Sequence, residues 1–396
     1  MKELKKNVYW TGKVDWEIRK FHGDEYSTHR GTTYNSYLVK DEKTALIDTV
    51  WSPFAGEFLD DLEKHIPFGK IDYIVINHAE IDHSGALAEL MKKIPDTPVY
   101  CTKNGLKSLT GQLHGDWNFV NVKTGDRLNL GRNELLFIEA PLLHWPDTMF
   151  SYLTGHNVLF SSDAFGQHLA SERLFDDLVD PAELYEESIK YYANILTPFS
   201  GLVEKKIEEF KGLNLPLDMI CPSHGVIWRK KPLQILDKYL DWSRNYQENQ
   251  IAIVYDTMWQ GTTKMAEAIA QGIRSADEEV IVKLFNISRS DKSDVVTEVF
   301  KSKALLVGSP TVNRGILSAV AGFMELLRGL KLKNKKAAAF GTYGWSGESV
   351  DIISHALEAA GSELLHKGLK ATWMPDAEAL KESFELGKEI AQKTRI

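Results

Sequence analysis

His78, Glu80, Asp82 and His83 place four metal-capable side chains within six residues, in the run Asn77-His78-Ala79-Glu80-Ile81-Asp82-His83-Ser84-Gly85. Imidazoles and carboxylates at this density point to a divalent cation rather than to a solvated acidic loop. The apolar Tyr73-Ile74-Val75-Ile76 before them reads as a buried strand, and Ser84-Gly85 is expected to open a helix at Ala86. Three later loops carry further ligands after apolar strands: His144 in Leu142-Leu143-His144-Trp145-Pro146-Asp147, Asp163 in Ser162-Asp163-Ala164-Phe165-Gly166, and His224 in Ser223-His224-Gly225. Each alone is a weak signal, since a single His in a Pro/Gly loop is usually a turn residue. Their order and spacing together are specific.

A second chemistry is written in three loops of the C-terminal part. The first is Thr257-Met258-Trp259-Gln260-Gly261-Thr262, between a strand and a helix with Met265, Ile269 and Ile273 on one face. Hydroxyls and backbone amides at a helix start suit a single phosphate. The G-x-G-x-x-G of a dinucleotide site and the Gly-Lys-Ser/Thr of a nucleotide P-loop are both missing, which disfavours NAD and ATP. The other loops are Ser309-Pro310-Thr311-Val312-Asn313-Arg314-Gly315 and Thr342-Tyr343-Gly344-Trp345-Ser346-Gly347. All three lie at the carboxyl ends of strands, where open α/β sheets bind ligands, and Trp259, Tyr343 and Trp345 offer faces for a flat ring.

The elements that must hold these loops differ between the two parts. Up to about residue 248, short strands follow one another: 8–10, 37–39, 45–48, 99–101, 119–122, 135–138, 150–153 and 158–160. Helices are expected over 54–65, 183–196 and 202–213, with a last strand at 217–220. The short turns favour antiparallel pairing, giving a layered α+β sandwich. From Ile251-Ala252-Ile253-Val254-Tyr255 onward, strands at 280–282, 304–307 and 337–340 alternate with helices in the manner of a doubly wound parallel sheet. The expected division is therefore 1–248 and 249–396.

Composition narrows the function. A formal net charge of −8, without a basic stripe, argues against nucleic acid as a partner. No apolar run is long enough to span a membrane, and the lysines of the N-terminus precede no apolar stretch, so neither an anchor nor a signal peptide is expected. The two cysteines, Cys101 and Cys221, are far apart on strand-like segments and are expected to be reduced core thiols of a cytoplasmic protein. They supply no Cys-ligated iron centre.

His-x-Glu-x-Asp-His, Leu-His-Trp-Pro-Asp, Ser-Asp-Ala-Phe-Gly and Ser-His-Gly, in this order, resemble the metallo-β-lactamase-like fold and, more narrowly, the flavodiiron proteins. The three C-terminal loops resemble the FMN site of flavodoxin in its flavodiiron version. In the zinc hydrolases of the fold the second ligand of the opening motif is a histidine; here it is Glu80. Glu80, Asp82 and Asp163, with neutral His78, His83, His144 and His224, would with one bridging hydroxide balance two divalent cations.

The resemblance implies an N-terminal αββα sandwich and a C-terminal flavodoxin-like sheet. It implies one iron on His78, Glu80 and His144, a second on Asp82, His83 and His224, and Asp163 bridging both. It also implies FMN as electron relay, and reduction of O2 to water, of NO to N2O, or both. His22, His168 and Tyr191 occupy positions the family shares, where they would donate protons or hydrogen bonds near the metals. An external donor is implied, rubredoxin or, in a methanogen, a reduced deazaflavin coenzyme. So is a head-to-tail homodimer, or a dimer of such dimers. The competing readings are a binuclear zinc hydrolase with a fused flavodoxin domain, and an electron carrier whose metal domain is only structural.

Overall fold

Tyr37-Leu38-Val39-Lys40 shows how the first part is layered. Successive side chains of a strand face opposite ways. Leu38 packs with Leu46, Ile74, Phe58 and Leu62 on the helix side, while Tyr37 and Val39 join Ile47, Phe137, Leu153 and Phe160 between two sheets. One alternation thus builds two cores. The computed structural model describes residues 1–395 and divides them into two compact units. The first comprises Met1–Phe21, Thr28–Tyr192 and Phe199–Ser243; the second comprises His22–Ser27, Ala193–Pro198 and Arg244 onward.

In the first unit, one sheet runs in the order Lys2–Lys5, Val8–Trp10, Tyr37–Lys40, Thr44–Ile47, Tyr73–Val75, Val99–Thr102, Phe119–Val122. Its first four strands pair antiparallel and the rest parallel. The parallel half departs from the antiparallel expectation. Helices Ala55–His65 and Lys103–Leu113 serve as the crossovers that parallel strands require. The second sheet, Arg127–Asn129, Glu134–Glu139, Met149–Leu153, Val158–Ser162 and Met219–Pro222, is antiparallel except for its last pair.

Local sequence sets the helix ends. Ala55–His65 buries Phe58, Leu59 and Leu62, and stops where Ile66 turns extended ahead of Pro67. Fully burying a side chain such as Leu62 contributes about 1.5–3 kcal/mol. The helix expected over 183–196 is instead Pro181–Tyr191 followed by a π turn over Tyr192–Leu196. Asp180 starts it early, its carboxylate accepting the N–H groups of Ala182 (2.8 Å) and Glu183 (3.0 Å) ahead of Pro181.

The second unit is a parallel sheet in the order Ile281–Asn286, Glu248–Tyr255, Ser302–Gly308, Lys336–Tyr343, with Glu363–Leu364 and Leu369–Thr372 on the last edge. Taken in chain order this is 2-1-3-4-5, a doubly wound sheet. Helices Gly261–Ala276 and Ala377–Lys393 cover one face at very close range. A Cβ on Gly272 would lie 1.9 Å from Phe384 O, and one on Gly387 2.1 Å from Ile269 O. Only glycine permits that backbone approach. Among the described residues no helix is long and apolar enough to cross a membrane. Cys101 and Cys221 are free and buried, Cys101 in the core on the helix side of the first sheet and Cys221, on the second sheet, in the core between the two sheets.

Candidate functional site

The strand Tyr73–Val75 delivers the opening motif to one end of the sandwich. Asn77 is clamped there: its backbone N–H donates to Asp48 Oδ1 at 2.7 Å, and its side-chain oxygen accepts from Ser151 Oγ at 2.6 Å. The helical turn begins at Ile81, with Glu80 at its cap, and not at Ala86. Ser84 Oγ donates back to Ala79 O (2.9 Å) and Glu80 O (3.1 Å), which closes that first turn and puts Asp82 and His83 inside it. His144 comes from the loop between Glu134–Glu139 and Met149–Leu153. Asp163 directly follows Val158–Ser162, and His224 follows Met219–Pro222.

These side chains converge as two donor sets, His78, Glu80, His144, Asp163 and Asp82, His83, His224. His78 Nε2 is 3.3 Å from Glu80 Oε2 and 3.4 Å from Asp163 Oδ2. His144 Nε2 lies 3.2 and 3.3 Å from the same two oxygens. Across the carboxylate, Asp163 Oδ1 is 3.1 Å from His83 Nε2 and 3.5 Å from His224 Nε2. His224 Nε2 is also 3.0 Å from Asp82 Oδ2. Asp163 therefore presents one oxygen to each set. Both oxygens of Asp82, Oδ2 of Asp163 and Nε2 of His83 are buried without an aligned hydrogen bond, even where a neighbour is within 3.5 Å. Buried polar atoms are rarely left so, and here the orphans face one another.

The electrostatics express the same deficit of positive charge. Burial alone would lower the His78 imidazole, but hydrogen bonds to Asp147 and Glu80 and the Asp163 charge raise it to about 10. His144 is likewise raised to about 10, against its burial, by Asp163 and Glu80. His83 rises to about 9 through Asp163 and Asp82. Asp163 resists its own burial and is held well below the usual carboxylate range by His83 and His144. The carboxylates demand cations, which protons supply in the metal-free chain and divalent ions supply better.

Outer contacts aim the ligands. Asp147 Oδ2 takes His78 Nδ1 at 2.9 Å and the Ala79 N–H at 2.7 Å, which points Nε2 into the cluster. His224 Nδ1 is fixed by Thr33 O at 2.6 Å. Sequence reasoning gave neither contact a role. Tyr191 O–H donates to Asp163 Oδ1 at 3.0 Å, and burial first, then Asp163, raises its phenol well above 10. His168 is buried, with Nδ1 2.8 Å from Thr32 Oγ1 and its ring 4.9 Å from that of His224. His22 is exposed, in a left-handed turn with φ of 52°, and belongs to the second unit.

In the second unit a cavity of about 350 Å³ opens at the carboxyl ends of the strands. It is lined by Met258, Trp259, Gly261, Pro310, Thr311, Thr342, Tyr343, Gly344 and Trp345, and by Trp373 and Met374, which sequence reasoning missed. A Cβ on Gly344 would meet the Trp373 ring at 2.7 Å, so glycine lets this loop lie on the indole. At the start of helix Gly261–Ala276, Thr257 Oγ1 and Thr263 Oγ1 are buried without partners, while Thr262 Oγ1 is 3.2 Å from Thr342 Oγ1. Other expected residues support the walls without lining them. Ser309 Oγ accepts the Leu317 N–H at 3.0 Å. Asn313 and Arg314 are exposed in left-handed conformation, with Val312 and Gly315 bridging the turn around them. Gln260 is an exposed left-handed helix cap, and Ser346 and Gly347 lie beyond Trp345 in the same loop.

An αββα sandwich with a two-lobed carboxylate–imidazole cluster, together with a doubly wound sheet carrying an aromatic cavity over a hydroxyl-rich helix start, defines a metal- and flavin-binding class. Comparison with known proteins agrees. Residues 32–225 match the ODP family beta lactamase, and residues 253–387 match flavodoxin. The anaerobic nitric oxide reductase flavorubredoxin of Klebsiella pneumoniae is 54% identical over 392 residues, covering 98% of this chain and 81% of the relative. That of Escherichia coli K12 is 55% identical over the same length, covering 98% and 82%. Among solved structures, rubredoxin oxygen:oxidoreductase of Desulfovibrio gigas superposes with a TM-score of 0.96 at 36% identity, over 99% of this chain and 98% of that one. The flavodiiron protein of Giardia intestinalis gives 0.94 at 33%, over 99% and 96%. The chain belongs to the flavodiiron proteins.

Membership brings FMN and a pair of non-haem irons as cofactors, and the residues present fit both. The orphaned Asp82, His83 and Asp163 atoms lack only a cation, and the donor set of carboxylate oxygen and imidazole nitrogen suits iron. The orphaned Thr257 and Thr263 hydroxyls lack only an acceptor of the phosphate type, beneath a cavity wide enough for a flat ring.

Proposed function

We propose that this chain is a cytoplasmic reductase of nitric oxide and dioxygen, with nitric oxide the preferred gas. The observation that carries the reading is Asp163, set between two donor groups with one oxygen toward each. His78, Glu80 and His144 would hold one iron, Asp82, His83 and His224 the other, and Asp163 both. When bound, FMN supplies one- and two-electron transfer, and the irons supply open positions for the gas. Identity of 54–55% to enzymes named for nitric oxide, against 36% to one named for oxygen, supports the order of preference.

The chain's own residues do the positioning. Asp147 and the Thr33 carbonyl fix the His78 and His224 rings, and Trp145 packs edge-on against His78 with centroids 5.2 Å apart. Tyr191 keeps its proton against Asp163 Oδ1, where its raised phenol remains a donor throughout the neutral range. With His168 it forms the proposed proton-handling set, since both reductions consume protons. Residues 1–248 would carry the irons and 249–396 the FMN.

Electrons would arrive from rubredoxin, a reading supported by the likeness to rubredoxin oxygen:oxidoreductase. A head-to-tail homodimer would bring one subunit's FMN to the other's irons. Trp259 and Trp345, 83% and 85% exposed at the flavin cavity, support a protein-facing surface there. Steady-state consumption of each gas with reduced rubredoxin tests the reading: turnover should be faster with nitric oxide. A chain that hydrolyses esters or phosphodiesters with zinc, and consumes neither gas, would refute it.

A further inference from the structure

The metal-bearing unit has a cavity of about 400 Å³ between helices Pro181–Tyr191 and Leu233–Ser243. The reduction of small gases gives it no role. Its walls are apolar and aromatic: Leu184, Ile235, Tyr185, Trp228 and Trp242. Trp228 is satisfied, donating Nε1–H to Phe165 O at 2.8 Å. Trp242 is not. It is 1% exposed, and its indole N–H has no hydrogen-bond partner among the described residues. That N–H has essentially no accessible surface, so Trp242 gives the cavity wall and not a donor.

The charges around the cavity do not cancel. Both carboxylates lining it are spent within the protein. Asp176 accepts the N–H groups of Arg229 (2.9 Å) and Lys230 (3.2 Å) and the Gln234 amide (3.1 Å). Asp177 is paired with the Arg229 guanidinium at 2.9 and 3.2 Å. Lys230, Lys231 and Lys238 also line it, and among the described residues none has a carboxylate within ion-pair distance. Lys238 Nζ rests 5.4 Å from the centre of the Tyr185 ring. The result is an aromatic slot rimmed by three lysines without a close ion pair, complementary to a flat apolar body bearing one negative group.

We propose that this cavity is a binding site for a small aromatic carboxylate, its ring against the indole and phenol walls and its carboxylate toward the lysines. Calorimetric titration of the FMN- and iron-loaded full chain with sodium 1-naphthoate, and with the neutral 1-naphthalenemethanol, tests it. Loading keeps the flavin cavity closed to the probes. The expected result is saturable one-to-one binding of the anion, about tenfold or more tighter than the alcohol, a difference of about 1.4 kcal/mol. The exposed double variant Lys231→Ala/Lys238→Ala should bind the anion about tenfold more weakly at unchanged FMN content. No saturable heat, equal affinity for the two probes, or wild-type affinity in the double variant would overturn the proposal.

Discussion

Replacing Asp147 by Asn tests how the metal centre is held without touching a proposed ligand. One oxygen of this buried carboxylate takes two donors, His78 Nδ1 at 2.9 Å and the Ala79 N–H at 2.7 Å. A hydrogen bond to a charged group contributes about 1.5–3 kcal/mol, and the side chain is too buried for solvent to screen it. Asn can accept one or both donors through its neutral oxygen, but the charge that raises ligand basicity is lost. Loss of such an orienting partner lowers metal affinity about 10–100-fold, or about 1.4–2.7 kcal/mol, in line with one weakened charged contact. The assay is iron release to a chelator, followed anaerobically, with thermal unfolding of the metal-free variant as a check on folding. The variant should fold, retain FMN and lose iron about 10–100-fold more readily. Iron retention within about twofold of wild type would show that Trp145 packing alone orients His78, and the reasoning would fail.

Glu80→Ala should retain FMN and lose gas turnover, read from the flavin spectrum and steady-state rates on one preparation; unchanged turnover would remove Glu80 from the ligand set. Thr263→Val deletes a buried hydroxyl that has no partner in the protein. It should weaken FMN binding about tenfold in fluorescence titration while leaving the flavin-free unfolding midpoint equal or higher. Gly344→Ala puts a methyl 2.7 Å from the Trp373 ring and should likewise weaken FMN, with iron content unchanged. In the metal-free protein His78, His83 and His144 sit above their ordinary 6.5, at about 10, 9 and 10. Their stabilisation is complete below pH 6.5 and is lost as the pH rises through about 9 to 10. Melting temperatures of metal-free protein should therefore fall across that alkaline window, with a smaller fall after iron loading.

The donor side chains of the cluster could be read from the chain because ligand types cluster at strand ends, a pattern that survives without coordinates. What aims them could not. Asp147 reaches His78 across 69 positions, through a sheet register that no local pattern encodes. The Thr33 contact uses a main-chain carbonyl, which every residue has. The early helix start at Ile81 arises from Ser84 bonding backward, where the same Ser-Gly pair suggests a cap. Trp373 and Met374 follow the strand Leu369–Thr372, whose Lys370 and Thr372 blur the apolar run that marks the earlier strands. Antiparallel pairing was overextended for a related reason: short turns and short crossovers look alike until the helices between strands are placed.

The central claim is that seven side chains hold two irons around Asp163. Metal and flavin analysis of anaerobically purified wild-type protein, expressed with ample iron, tests it most directly. The account predicts about two irons and one FMN per chain. Zinc in place of iron, or a single metal per chain with full FMN, would contradict it.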